Sequence, residues 1–142
     1  MPLLPDRRED AAGCPALIFS SDWDFIDHHH RILSSLGFIP IAATTPEAAL
    51  AVLRLEVIAL VVVDEGDGLT SSRKVLRRAQ ETQQHAPVLV VSRCTDPESR
   101  CQALALGAAE YLEHPVFPDD VVQAFLPGRS WVHRSLDELH YG

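Results

Sequence analysis

Five short strand-like runs alternate with five stretches of helical periodicity, and that alternation restricts what the chain can fold into. The runs are residues 16–19, 38–43, 58–64, 87–92 and 110–112. Residues 16–19 are continuously apolar, as expected of a strand covered on both faces, and Ser20, Ser21 and Asp22 close the run. Between the runs, apolar residues recur near the helical period. Phe25, Ile26, Ile32, Leu33 and Leu36 mark a first helix over 23–36, with Gly37 where a left-handed C-cap is wanted. Thr45, Pro46 and Glu47 supply a cap, a proline at the first helical position and an acid in the first turn of a second helix running to about Leu55. A third helix carries Val75, Leu76 and Ala79, with Ser71 or Ser72 as its expected cap. Asp96, Pro97 and Glu98 repeat the cap, proline and acid start for a fourth helix that stops at Gly107. Pro118 and Asp119 open a fifth through Val121, Val122 and Phe125. Strict alternation of this kind requires right-handed crossovers and a parallel sheet with helices on both faces.

At 142 residues with 46% hydrophobic side chains, the chain is large enough for one domain with a real core. It divides into an N-terminal leader (1–15), a domain (16–126) and a C-terminal extension (127–142). The leader has prolines and mixed charge but no apolar core of a signal peptide. In the extension, Trp131, Val132, Leu136 and Leu139 follow the helix-breaking Pro127 and Gly128, and they suit either a turn folded back on the domain or an amphipathic partner or dimer element. No stretch approaches the about 18 apolar residues that a spanning helix requires, so no membrane association is expected.

Twelve basic against twenty acidic residues leave a net charge of −8, which repels polyphosphate backbones and argues against nucleic acid as a partner. The local exception is Arg73, Lys74, Arg77 and Arg78 on the third helix, read as a solvated face. Cys14, Cys94 and Cys101 are odd in number and lack metal-ligand spacing, which suits reduced thiols and a cytoplasmic setting.

Chemistry is expected at the end of the third run. Residues 60–63 are apolar and lead directly into Asp64, then Glu65, Gly66, Asp67 and Gly68. An acid at the carboxyl end of a buried strand sits where open α/β sheets place their sites. Ser92 closes the fourth run, and Tyr111 lies three residues before His114 in Tyr-Leu-Glu-His-Pro.

With these landmarks in order, residues 16 to 125 resemble the receiver domain of two-component response regulators. Asp64 matches the phosphoacceptor position, Ser92 the conserved Ser or Thr, and Gly107-Ala108-Ala109-Glu110-Tyr111 the lead-in to the fifth strand. The resemblance implies a doubly wound, five-stranded (βα)5 flavodoxin-like fold of strand order 2-1-3-4-5, and a cis His114-Pro115 bond. It also implies a Mg²⁺ ion held by an acidic pair after the first strand and a lysine on the phosphoryl oxygens. Here the sequence departs. Ser20 and Ser21 stand in the acidic-pair positions and His114 in the lysine position. A hydroxyl is a weak ligand for a hard cation, and a neutral imidazole is not a permanent ammonium charge.

The expected result is a degenerate pseudo-receiver, without enzymatic activity or cofactor. It would be a stand-alone interaction module working through its fourth helix, fifth strand and fifth helix, or as a homodimer, with Ser92 and Tyr111 as switch elements. The alternative is a working phosphoacceptor with an atypical Mg²⁺ site, for which Asp22, Asp64 and the Gly66 carbonyl are candidate ligands, with Glu65 and Asp67 close by. Arg93, in a position that controls access to the acceptor, either pairs with Asp64 or points to solvent. Consecutive His28, His29 and His30 diverge by about 100° on a helix and read as surface residues, partly packed. Ser92, His114 and Asp64 lack the nucleophile elbow of a hydrolase. Cys94, beside Arg93, is expected to be packed.

Overall fold

The computed structural model describes residues 13–83 and 85–125. Its elements, in chain order, are β1 (Pro15–Phe19), α1 (Trp23–Ser35), β2 (Ile39–Ala43), α2 (Pro46–Leu55) and β3 (Leu60–Asp64). A 3₁₀ turn (Glu65–Asp67) leads into α3 (Leu69–Thr82), followed by β4 (Val88–Ser92), α4 (Pro97–Ala105), β5 (Glu110–Glu113) and α5 (Pro118–Phe125). All five strands are parallel, in the order β2-β1-β3-β4-β5. This is the doubly wound, flavodoxin-like architecture expected from the alternation.

Strand periodicity splits the core into two layers. Leu17, Phe19, Val61, Val63, Val88, Val90 and Tyr111 face α2, α3 and α4, meeting Leu53, Val75, Leu76 and Ala103. Ile18, Leu60, Val62, Leu89 and Val91 face α1 and α5, meeting Phe25, Ile26, Leu33 and Val121. β3 lies at the centre, and Leu60, Val61, Val62 and Val63 are each 0% exposed. At about 1.5–3 kcal/mol for each such side chain, β3 is the strand that burial fixes most firmly, and it delivers Asp64 to the rim.

Thr45 and Asp96 cap their helices as expected, Asp22 caps α1 in addition to closing the first strand, and one expectation is corrected. Asp22 accepts from Asp24 N at 2.9 Å, Thr45 from Ala48 N at 3.1 Å and Asp96 from Ser99 N at 3.1 Å. Neither Ser71 nor Ser72 caps α3, because the 3₁₀ turn brings the chain into helix already at Leu69. Gly68, at φ +108°, is the N-cap instead and supplies no side chain. Ser72 is buried inside the helix and donates to the Leu69 carbonyl. Beyond α2, Gln83 acts as a clip: its amide nitrogen donates to Leu53 O and Glu56 O, and its oxygen accepts from Ile58 N. Ile58 therefore lies outside β3. Gly37 takes φ +96° after α1, and the His114-Pro115 bond is cis. The expectations for the leader to residue 12 and for the C-terminal extension lie outside the described residues.

Candidate functional site

Four chain segments converge at the carboxyl ends of the central strands. Asp64, 1% exposed, ends β3. Ser20 follows β1 directly and donates its hydroxyl to Asp64 Oδ2 at 2.7 Å. The 3₁₀ turn folds Gly66 N onto Asp64 Oδ1 at 2.8 Å. Arg93, the first residue after β4, places its guanidinium 3.4 and 3.5 Å from the two carboxylate oxygens. Those distances are long for hydrogen bonds, so the contact is chiefly ionic. The same guanidinium donates to Asp22 Oδ2 at 2.7 Å, and Asp22 is also the N-cap of α1. One cation thus bridges two carboxylates. A lone buried carboxylate costs several kcal/mol, and here two short hydrogen bonds and a shared positive charge offset that cost.

Gly66 leaves room for this close approach. A Cβ there would lie 2.5 Å from an Arg93 guanidinium nitrogen and 2.9 Å from Asp64 Oδ1. The proton of Ser20 is committed to Asp64, while its oxygen accepts from Asp22 N at 3.0 Å. Ser21, expected in the second acidic-pair position, is exposed.

Beside the pocket is an aromatic wall. The Arg93 guanidinium carbon lies 5.6 Å from the Phe25 ring centroid, and Phe25 packs on His29 at 4.1 Å and on His114 at 6.1 Å. His28 meets His29 and His114 at 5.0 and 5.4 Å, and its Nε2 bonds the Val116 carbonyl. The surface reading of the histidine run is corrected for its middle member. His29 is 1% exposed and donates Nδ1–H to the Phe25 carbonyl, which leaves Nε2 as a buried lone pair without a partner. Burial lowers its pKa from 6.5 to about 4. His114, expected in the lysine position, belongs to this cluster.

Tyr111 is buried and turned inward, donating to Glu65 Oε1 at 2.5 Å. Burial raises its pKa, and the hydrogen bond to the Glu65 carboxylate reinforces the shift. Glu65 is therefore a partner of tyrosine and not a further carboxylate around Asp64. Nothing in the sequence spacing announced that contact. Ser92 turns back on its own loop, donating to Cys94 O and accepting from Cys94 N. The side chains of Asp64 and Ser92 bond outside the trio and His114 Nδ1 is buried without a hydrogen-bond partner, so no relay links the three. Cys94 is exposed, contrary to the expected packing, because the Ser92 turn carries it outward.

No family model matches the sequence, and no curated protein is similar to it. Solved structures are similar in fold. A response regulator from Burkholderia pseudomallei, solved with a phosphorylated aspartic acid, a calcium ion and citrate, superposes with a TM-score of 0.78 at 22% identity, over 91% of this chain and 75% of its own. A response regulator from Thermotoga maritima gives 0.69 at 25% identity, over 78% and 92%. A receiver domain protein from Methanospirillum hungatei gives 0.70 at 22% identity, over 92% and 98%. The fold is that of a response regulator receiver domain.

A receiver fold with these residues does not suit a divalent cation as it stands. Mg²⁺ requires near-octahedral oxygen coordination, usually with carboxylate ligands. Asp22 is held by Arg93, both oxygens of Asp64 already face donors, and the acidic-pair positions offer hydroxyls. The guanidinium already supplies a positive charge between the two acids.

Proposed function

We propose that this chain is a receiver-type signalling domain whose interaction state is set without phosphorylation of Asp64. The observation that carries this reading is the Arg93 bridge between Asp22 and Asp64. Phosphorylation requires the carboxylate to attack phosphorus while nearby cations cancel the repulsion. In this pocket the carboxylate is neutralised from within by Arg93, Ser20 and Gly66. A phosphoryl group would need all three contacts to rearrange, with no lysine to receive it. The bond from Tyr111 to Glu65 holds the β5 side chain inward against the turn after Asp64, which suits a fixed conformation.

The output face in this reading is formed by α4, β5 and α5, where Leu104 and Phe117 expose apolar surface to a protein partner or a second copy. The alternative, a phosphoacceptor using Asp22 as substitute metal ligand, is disfavoured because Asp22 is already both helix cap and ion-pair partner. Incubation with acetyl phosphate and Mg²⁺, followed by intact-mass measurement, tests the reading. No phosphoryl adduct is expected, and calorimetry should detect no millimolar Mg²⁺ binding. Stoichiometric labelling lost in Asp64→Asn would overturn it.

A further inference from the structure

The basic residues of α3 remain outside the reading above, and their arrangement is more specific than a solvated face. Arg73, Lys74, Arg77, Arg78 and Glu81 recur at three- and four-residue intervals, so they share one face of the helix. The opposite face buries Val75, Leu76 and Ala79. Together with Thr70 and with Leu50 of α2, the four cations and Glu81 line one surface groove in which Leu50 is the apolar contact. Four of the chain's twelve cationic side chains line it, on a protein of net charge −8. Arg78 pairs with Glu81 at 3.3 Å and Arg73 bonds Gln102. Among the described residues neither Lys74 nor Arg77 has an ion-pair partner.

Like charges at four-residue spacing, as in Arg73 with Arg77 and Lys74 with Arg78, oppose helix formation. An external anion would relieve that repulsion. The net negative charge of the rest of the chain disfavours an acidic partner elsewhere and favours this groove. It also repels a long polyphosphate, whose charge extends past the groove in both directions. A compact occupant with carboxylates at helical spacing and an apolar residue between them matches both the charges and Leu50.

We propose that the groove between α2 and α3 is a docking site for an acidic amphipathic helix of a partner protein. Its carboxylates would meet Lys74 and Arg77 while an apolar residue seats on Leu50. This does not depend on the state of Asp64.

Fluorescence anisotropy on the full chain tests it, using a labelled helical peptide with glutamates at three- and four-residue intervals and leucines between. Probes for comparison are a scrambled peptide of the same composition and a single-stranded oligonucleotide of equal charge. The patterned peptide should bind best, and Lys74→Glu/Arg77→Glu should weaken it about tenfold or more. Arg31→Glu/Arg100→Glu, with the same change in net charge, should leave it within about twofold. Lys74→Gln/Arg77→Gln repeats the test without adding acids, and circular dichroism confirms that each variant is folded. Equal loss in the control variant, equal binding of the scrambled peptide, tighter binding of the oligonucleotide, or no peptide binding would each overturn the proposal.

Discussion

The charges at the carboxyl end of the sheet and those along α3 are handled in opposite ways. In the pocket, Asp64 is buried and every charge has a partner within the fold: Asp64 with Ser20, Gly66 and Arg93, and Arg93 in turn with Asp22. On α3, cations stand in a row at the surface, and Lys74 and Arg77 have no internal counterion among the described residues. The first arrangement satisfies its charges within the fold. The second contributes little to the fold and leaves charge available to something outside it. Substitutions in the two regions should therefore differ in sign as well as size.

The largest effect is expected beside the pocket, at His29. Its pKa falls from 6.5 to about 4 on folding because burial disfavours the charged ring. Between those values the unfolded chain takes up a proton that the folded chain refuses. Stability is therefore complete above pH 6.5 and declines as the pH falls towards 4, by about 3 kcal/mol in all. His29→Leu should remove that part of the pH dependence. Urea unfolding measured from pH 7 to 4 checks it, and an unchanged slope in the variant would refute the assignment.

Arg93→Ala comes next. Removing one partner of a buried ion pair costs about 3–5 kcal/mol. Arg93 is 42% exposed, however, so water replaces much of what is lost and about 1–2 kcal/mol is expected. The more telling readout is metal binding. With the guanidinium gone, Asp22 and Asp64 are both released, and Mn²⁺ should bind the variant more tightly than the wild type by calorimetry. Equal affinity would mean that Arg93 is not what keeps a cation out.

Tyr111→Phe deletes one hydrogen bond while keeping the ring in the core, so about 1 kcal/mol is expected by thermal unfolding. Glu65→Gln retains an acceptor for the tyrosine and should cost less. If Glu65→Gln costs as much as Tyr111→Phe, the charge of Glu65 matters beyond this bond.

These sites differ in how legible they were from the sequence. The strands were readable because, covered on both faces, they appear as apolar runs, and Thr45 and Asp96 announced their helices by capping chemistry. The start of α3 was missed because a glycine at positive φ gives no side-chain signal and a 3₁₀ turn leaves no periodicity. His29 was legible in principle. It lies four residues after Phe25 and four before Leu33, both on the buried stripe of α1, and the eye is drawn instead to the run of three histidines. The bridge from Arg93 to Asp22 spans 71 residues and that from Tyr111 to Glu65 spans 46. No local pattern encodes such contacts. They exist because the strand order brings the ends of β1, β3, β4 and β5 to one rim.

The smallest effect is expected on α3, and it completes the contrast. Lys74→Gln/Arg77→Gln removes two exposed charges without an ion-pair partner, so stability should change by no more than about 0.5 kcal/mol. The sign should be favourable, because repulsion with Arg78 and Arg73 is relieved. Salt supplies the diagnostic: adding it screens like charges and should stabilise the wild type slightly more than the variant. A clear loss of stability would mean that Lys74 or Arg77 serves the fold as Arg93 does, and α3 would then be a second internally paired region.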